Sequence, residues 1–164
     1  MTVREGRHRR RRCRACGWIF YDNPVPAANG LIVRAGRLLL GRRARPPYAG
    51  MWDIPGGFLE SGETPEQGLR RELREELGAT VRRMRWAGGA ADRYGRDGCP
   101  VLSILFWVTL APGPLRPADD VAELRWFAID RLPFRRVAFA STRRMLRALL
   151  GNGKARSLPR HGRR

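Results

Sequence analysis

The sequence predicts an α/β fold: a mixed β-sheet with helices packed on both faces. Short apolar runs of strand character alternate irregularly with two amphipathic helical stretches, without the strict βαβ order of a fully parallel sheet. The 164 residues, 43% hydrophobic with five Trp, suffice for one domain with a real core. No internal repeat interrupts that reading.

In chain order, residues 1–14 hold seven Arg against Glu5 and read as a basic, disordered arm over 1–12. "CRACGWIFYDNPVPAANG" is rich in Pro, Gly and Asn, so 13–26 reads as a cysteine knuckle and loop. The domain proper is expected over 27–150. "LIVRAGRLLLGRR" is two apolar runs about Ala35-Gly36-Arg37, a hairpin. "RPPYAGMWDIPGG" is a loop with a short strand at its end. Thr64-Pro65-Glu66-Gln67 starts a helix: Thr as cap, Pro at the first helical position, Gln three residues after the cap. Gly78 ends it. Strands are expected near 80–88, 101–109 and 123–128, separated by a Gly/Asp/Arg-rich stretch at 88–99 and a Pro-rich one at 112–117. A last amphipathic helix covers 139–150, and residues 151–164, with Lys154 and four Arg, form a basic disordered tail.

Of the net charge of +18, the two ends carry +6 and +5, leaving +7 for the body. Basic ends of this kind can hold phosphate polymers by counterion release, and weak nucleic-acid contact is the partner they allow. "VLSILFWVTL" is far short of a membrane span of ~20 residues. Three cysteines, an odd number, and no apolar stretch behind the basic N-terminal run suit a reducing, cytoplasmic setting.

The central helix raises a problem. Glu72, Glu75 and Glu76 crowd its C-terminal half, where the helix dipole favours cations. At about 100° per residue, with Leu69 at zero, Leu73 and Leu77 fall near +40° and +80°. Glu76, Glu72 and Glu75 then fall at about −20°, −60° and −120°. The acids flank the apolar stripe instead of opposing it, and Gly68 leaves bare backbone among them. Only Arg71 neighbours this arc. Like-charge pairs cost about 0.2–0.5 kcal/mol each and each misplaced acid roughly 0.3–1 kcal/mol against the dipole. A bound cation is the economical explanation. Hard oxygen ligands without Cys or His point to Mg²⁺ or Mn²⁺, whose shell substrate phosphate oxygens complete. A diphosphate substrate follows.

The same residues carry a resemblance. Gly57, Glu63, Arg71-Glu72, Glu75-Glu76 and Gly78, at spacings of five, seven, two and one intervening residues, resemble the Nudix box (57–79) of the Nudix hydrolase family. "LLLGRR", "GMWDIPGGFLESGETP" and "ELRWFAIDRLP" look like Nudix segments in Nudix order. The resemblance implies a Nudix-type α/β/α sandwich and metal-dependent hydrolysis of a nucleoside diphosphate linked to X: ADP-ribose, a dinucleotide or a nucleoside triphosphate. Carried over by position, it implies Glu72, Glu75 and Glu76 as metal ligands, with Glu75 or Glu76 doubling as base. The carbonyls of Gly56 and Gly57 join them, and Glu63 and Arg71 hold the loop-helix-loop in shape. Of Asp119, Asp120 and Glu123 in a distant loop, Asp120 is the expected further ligand. Arg42 or Arg43 could clamp the diphosphate, since Arg matches phosphate geometry, or equally be a strand-end surface charge; Trp52, Tyr48 and Phe58 are candidates to stack on a base, with the core as the competing place for Trp52. Relatives are often homodimers.

Cys13-Arg14-Ala15-Cys16 looks like half of the zinc ribbon that precedes NADH-pyrophosphatase-like members of the family. A structural zinc needs four ligands, and neither His8 nor Cys99 is spaced to complete the set. A turn held by packing is expected instead of zinc at Cys13/Cys16. The Ser-Gln-Pro-Trp-Pro-Phe-Pro motif of NADH pyrophosphatases is absent, which leaves the substrate open. The alternative reading is a Nudix-domain ligand sensor, or a nucleic-acid-binding protein using its basic tails. The intact set of glutamates argues against an inactive sensor.

Overall fold

A computed structural model describes residues 1–150; the expected basic tail at 151–164 lies outside the described residues. The first twelve residues, expected to be disordered, are instead paired. Strands β1 (Thr2–Glu5) and β2 (His8–Arg12) form an antiparallel hairpin, and β3 (Ile19–Phe20) adds to β2. Gly6, at φ 57°, makes the turn. The α-amino group donates to the Arg12 carbonyl at 2.9 Å and the Arg12 N–H returns to the Met1 carbonyl at 2.7 Å, so the strand ends are closed. Backbone pairing orders a segment in which seven of twelve side chains are charged.

The main sheet contains β4 (Val25–Arg34), β5 (Arg37–Arg43), β6 (Trp52–Asp53), β7 (Gly56–Phe58), β8 (Val81–Arg93), β9 (Pro100–Leu110) and β10 (Val121–Ala128). Its order is β10-β5-β4-β9-β8, with β4 and β9 parallel and the other neighbours antiparallel. β4 and β5 turn at Ala35-Gly36, φ 47° and 71°, the left-handed pair that a tight hairpin needs. They stay paired only at Val33–Leu38 and Arg34–Arg37. Beyond that they part. β7 then pairs with β4 (Ala27–Phe58, Ala28–Gly57, Asn29–Gly56) and β6 with β5 (Gly41–Asp53, Arg42–Trp52).

Helix α1 (Pro65–Leu77) covers one face and α2 (Ala140–Leu150) belongs to the other, after 3₁₀ turns at Ile129–Arg131 and Phe134–Arg136. The α/β/α sandwich is therefore the observed architecture. Alternation along β5 sorts its leucines: Leu39 packs with Leu69, Leu73, Leu77 and Phe106, while Leu38 and Leu40 pack with Leu105, Trp52 and Leu146. The three α1 leucines are fully buried. Thr64 and Gln67 complete a reciprocal capping box (2.8 and 3.3 Å), and Gly78, at φ 63°, donates to the Arg74 carbonyl at 2.9 Å as the helix stops.

Three strands run longer than expected, β9 by one residue at each end. β8 continues to Arg93 because the extra residue, Ala87, is absorbed in a bulge between Trp86 and Gly88 (φ 151°), and the ladder resumes at Gly88–Leu105. β10 starts at Val121, with a second bulge before Glu123. Among the described residues no helix is long and apolar enough to cross a membrane. Because Leu73 is fully buried between α1 and the sheet, Leu73→Ala should lower the unfolding free energy by about 2–5 kcal/mol. Urea titration at unchanged m-value is the check.

Candidate active site

The parting of β4 and β5 opens a cleft whose walls come from α1, β7, the loop before β10, β8, and the start of α2. On the α1 side stand Glu72, Glu76 and Asp120. The leucine stripe draws α1 onto the sheet, and Glu76, beside that stripe, is carried down with it to 5% exposure. Its carboxylate accepts the Gly56 N–H at 2.8 Å. Burial pushes its pKa well above the usual carboxylate range, and the charges of Asp120 and Glu72 add to the rise. Burial also raises Glu72, against the pull of Arg71. Gly57 lies so close that a Cβ there would come within 2.6 Å of the Glu72 carboxylate, so a side chain at 57 would collide with it. Gly56, at φ 130°, is equally constrained: a Cβ would sit 2.2 Å from the Ala28 carbonyl oxygen.

Asp120 reaches this place from far along the chain. The segment after β9 folds over the C-terminal end of α1, where the Ala118 N–H donates to the Glu76 carbonyl at 2.9 Å and that of Arg116 to Leu77 at 3.1 Å. Two helix-end carbonyls are thereby satisfied. Asp119 lies at the rim, 3.8 Å from Arg45.

Arg71 organises the remaining acids. Its fork meets Glu63 twice (2.8 and 3.0 Å), Glu72 at 2.8 Å, Glu75 at 3.0 Å and the Phe58 carbonyl at 2.9 Å. Hydrogen bonding to Arg71 lowers Glu63 to about 2, and the arginine is held firmly charged. Glu63, Arg71 and the half-exposed Glu75 brace α1 against the loop before it and do not line the cleft. Gly68, expected to admit a close neighbour, is approached by Leu59: a Cβ would meet that side chain at 2.4 Å.

The cleft is also lined by Arg43, whose guanidinium donates to the Pro47 carbonyl (2.7 Å) and the Tyr94 hydroxyl (2.9 Å) and lies 3.9 Å from Asp53. Tyr94 stacks on Phe139 at 5.7 Å, and Phe58 meets Tyr94 edge-on at 5.0 Å. Asp53 accepts from Ile54 N–H at 2.9 Å and the Thr142 hydroxyl at 3.2 Å; burial raises it to about 6. Asp92 of β8 accepts the Ser141 N–H at 2.8 Å and so caps α2.

The cleft thus brings together Gly57, Phe58, Glu72, Glu76, Asp120 and Arg43. Two expected substrate contacts lie elsewhere. Trp52 is 2% exposed, edge-on to Phe127 at 4.9 Å, and belongs to the core. Arg42 points to the opposite side of β5 from Arg43 and pairs with Glu123 at 3.0 Å. Asp53, Tyr94, Phe139 and Thr142 were not among the expected site residues. Tyr94 sits in a polar, Gly-rich stretch, and nothing local in the sequence joins Asp53 to a threonine 89 positions away.

Among the described residues, no three His, Cys, Asp or Glu side chains form a ready-made cage. Cys13, Cys16 and Cys99 are free and exposed. The acids at the cleft nonetheless suit a hard divalent cation in donor chemistry: all are oxygens, Glu76 is nearly buried and accepts only one N–H, and Asp120 and Glu72 repel it.

A NUDIX domain model matches residues 23–149. An ADP-ribose pyrophosphatase of Methanocaldococcus jannaschii is 35% identical over 115 residues, covering 69% of this chain and 67% of that protein. A NAD-capped RNA hydrolase NudC of Chromobacterium violaceum is 33% identical over 144 residues, 87% of this chain, which spans only 51% of that relative. Among solved structures, a NUDIX hydrolase of Nitrosomonas europaea superposes with a TM-score of 0.73 at 28% identity, covering 90% of this chain and 81% of the other. A MutT NUDIX hydrolase of Burkholderia pseudomallei gives 0.69 at 31%, covering 76% and 96%.

Asp53 offers a test of the cleft's electrostatics. With its folded pKa raised to about 6, the native state keeps a proton that the unfolded chain gives up near pH 4. Stability therefore falls as pH rises between those values, and the penalty is complete above them. Asp53→Asn should raise the unfolding free energy at pH 8 by up to roughly 3 kcal/mol. The gain should shrink towards zero by pH 4, as read from denaturant midpoints across that range.

Proposed function

The chain belongs to the Nudix hydrolase family, and from that premise we propose that it cleaves the diphosphate bond of a nucleoside diphosphate linked to X. The observation that carries this reading is the gathering of Glu72, Glu76 and Asp120 in one cleft that Arg43 also lines. The family generally uses divalent metals, and the ion proposed is Mg²⁺ or Mn²⁺. Glu72, Glu76 and Asp120 would hold it, with the Gly57 carbonyl as a further donor; Glu75, outside the cleft and 3.0 Å from Arg71, would have to leave that arginine to join them. Such an ion, when bound, neutralises charge on the phosphate oxygens and makes an attacking water more acidic.

The chain's own groups supply the rest. Glu76, with its raised pKa and its place in the cleft, is the proposed base that takes the proton from water. Glu75, half-exposed and held by Arg71, is the less well placed of the two. Arg43 is oriented by Pro47 and Tyr94 to meet phosphate oxygens. Phe58, with Tyr94 and Phe139, offers aromatic surface for a base. Substrates of the relatives, by their names, include ADP-ribose and NAD-capped RNA; ADP-ribose, a dinucleotide and a nucleoside triphosphate are the proposed classes. A cytoplasmic setting accompanies the reading, in keeping with three free cysteines, and a homodimer is the proposed assembly.

Product analysis separates the classes. With Mg²⁺ or Mn²⁺, a nucleoside triphosphate should give a monophosphate and pyrophosphate, ADP-ribose should give AMP and ribose 5-phosphate, and a dinucleotide two mononucleotides. No turnover of any of the three would sink the proposal. Glu76→Gln should lower kcat by at least about 100-fold. Its thermal stability without metal should hold or rise, since a neutral amide can keep the Gly56 bond without the cost of a buried charge. Unchanged turnover would remove Glu76 from the mechanism.

A further inference from the structure

The N-terminal sheet contributes nothing to the cleft, and its two faces differ. Register places Thr2, Arg4, Arg9, Arg11 and Phe20 on one face, and Val3, Glu5, His8, Arg10, Arg12 and Ile19 on the other. On the second face the charges have partners within the protein. Arg10 lies 3.8 Å from Glu5 and over the Tyr21 ring, and Arg12 donates to the Gly17 carbonyl at 3.1 Å. The first face has no acid, and its Arg4 meets only the Gly6 carbonyl, at 3.3 Å, among the described residues. Arg4 stands directly across from Arg9, an arrangement that destabilises a strand pair. Arg11 lies 4.7 Å over the Phe20 ring, and beside them Trp18 is 62% exposed, its ring 5.9 Å from Phe20. Trp18, Phe20 and Arg11 edge a shallow open groove with Met1 and Thr2.

Guanidinium groups set close together without counter-charge attract a polyanion, whose released counterions drive binding. A polyanion alone has no use for an open indole face, whereas an unpaired base stacks on one. Apart from Met1 at the edge of the groove, the face carries no aliphatic side chain that would wedge into lipid. We propose that this face docks single-stranded nucleic acid, with Arg4, Arg9 and Arg11 on phosphates and Trp18, beside the Arg11–Phe20 stack, on a base. This goes beyond the hydrolase reading and does not depend on it.

The test is fluorescence anisotropy on the full chain with a labelled single strand of about 16 nucleotides, as RNA and as DNA. The matching duplex and phosphatidylserine vesicles serve as competitors. Trp18 is exposed, so Trp18→Ala should leave the fold and turnover of a free nucleotide unchanged while weakening strand binding about tenfold. Trp18→Phe should recover most of that loss. The triple change Arg4→Gln, Arg9→Gln, Arg11→Gln should flatten the slope of log affinity against log salt by about 2. The proposal is overturned if Trp18→Ala binds the strand like the parent, if the duplex competes as well as the single strand, or if vesicles bind and the strand does not. It is also overturned if neutralising Lys154 and the arginines after it removes all binding while the triple change removes none. Because binding is read without turnover, an inactive hydrolase would leave the result intact.

Discussion

The hydrogen bond from the Gly56 N–H to the Glu76 carboxylate, 2.8 Å long, is the constraint on which the site depends. It joins the last turn of α1 to the first residue of β7, and among the described residues it is the one N–H that the nearly buried acid accepts. Left to itself, Glu76 would turn to water. Leu69, Leu73 and Leu77 prevent that: each buried leucine is worth roughly 1.5–3 kcal/mol, and a helix seated by three of them carries its flanking acid down regardless of the acid's preference. The glycines complete the constraint, because at 56 and 57 a Cβ would strike the Ala28 carbonyl or the Glu72 carboxylate. Core packing and the electrostatics of the cleft are thus one arrangement.

Arg71 explains how so much negative charge stays on one helix. It spans Glu63, Glu72 and Glu75 and ties them to the Phe58 carbonyl. The cost of placing acids against the helix dipole is shared among these contacts, and Glu76 is left out of them. Asp120 then arrives by an unrelated route, on a segment whose own N–H groups satisfy the open carbonyls of α1. The helix end that repels carboxylates is also the end that captures the loop bringing another.

Local chemistry made α1 legible from the sequence. The Thr64–Gln67 box, Pro65 and Gly78 each state their position in a helix, and the angular placement of the glutamates follows from counting residues. The Gly36 hairpin was legible for the same reason. What escaped was information carried by pairing. In 1–12 the period of two is written in arginines, which hide it from any reading based on apolar alternation. Arg42 and Arg43 had to face opposite ways, but only the partner strands decide which one meets the cleft. Trp52 is claimed by Phe127, seventy-five positions on, and Asp53 by Thr142. Gly88 looked like a terminator and instead resumes the ladder after a bulge, because β9 supplied a partner on which the extra residue, Ala87, could be absorbed.

The parting of β4 and β5 has a consequence for how this scaffold can vary. Each strand finds a fresh neighbour where it leaves the other, β7 on β4 and β6 on β5. The connection between Arg43 and Trp52 closes on itself through bonds from Arg43 N–H to the Met51 carbonyl (2.9 Å) and from Gly50 N–H back to Arg43 (2.8 Å). The same loop holds parts of the site: the Pro47 carbonyl accepts from Arg43 at 2.7 Å, and the Ala44 N–H donates to the Asp120 carbonyl at 2.7 Å. Recutting its tip would therefore be felt by the arginine and by the acidic loop together.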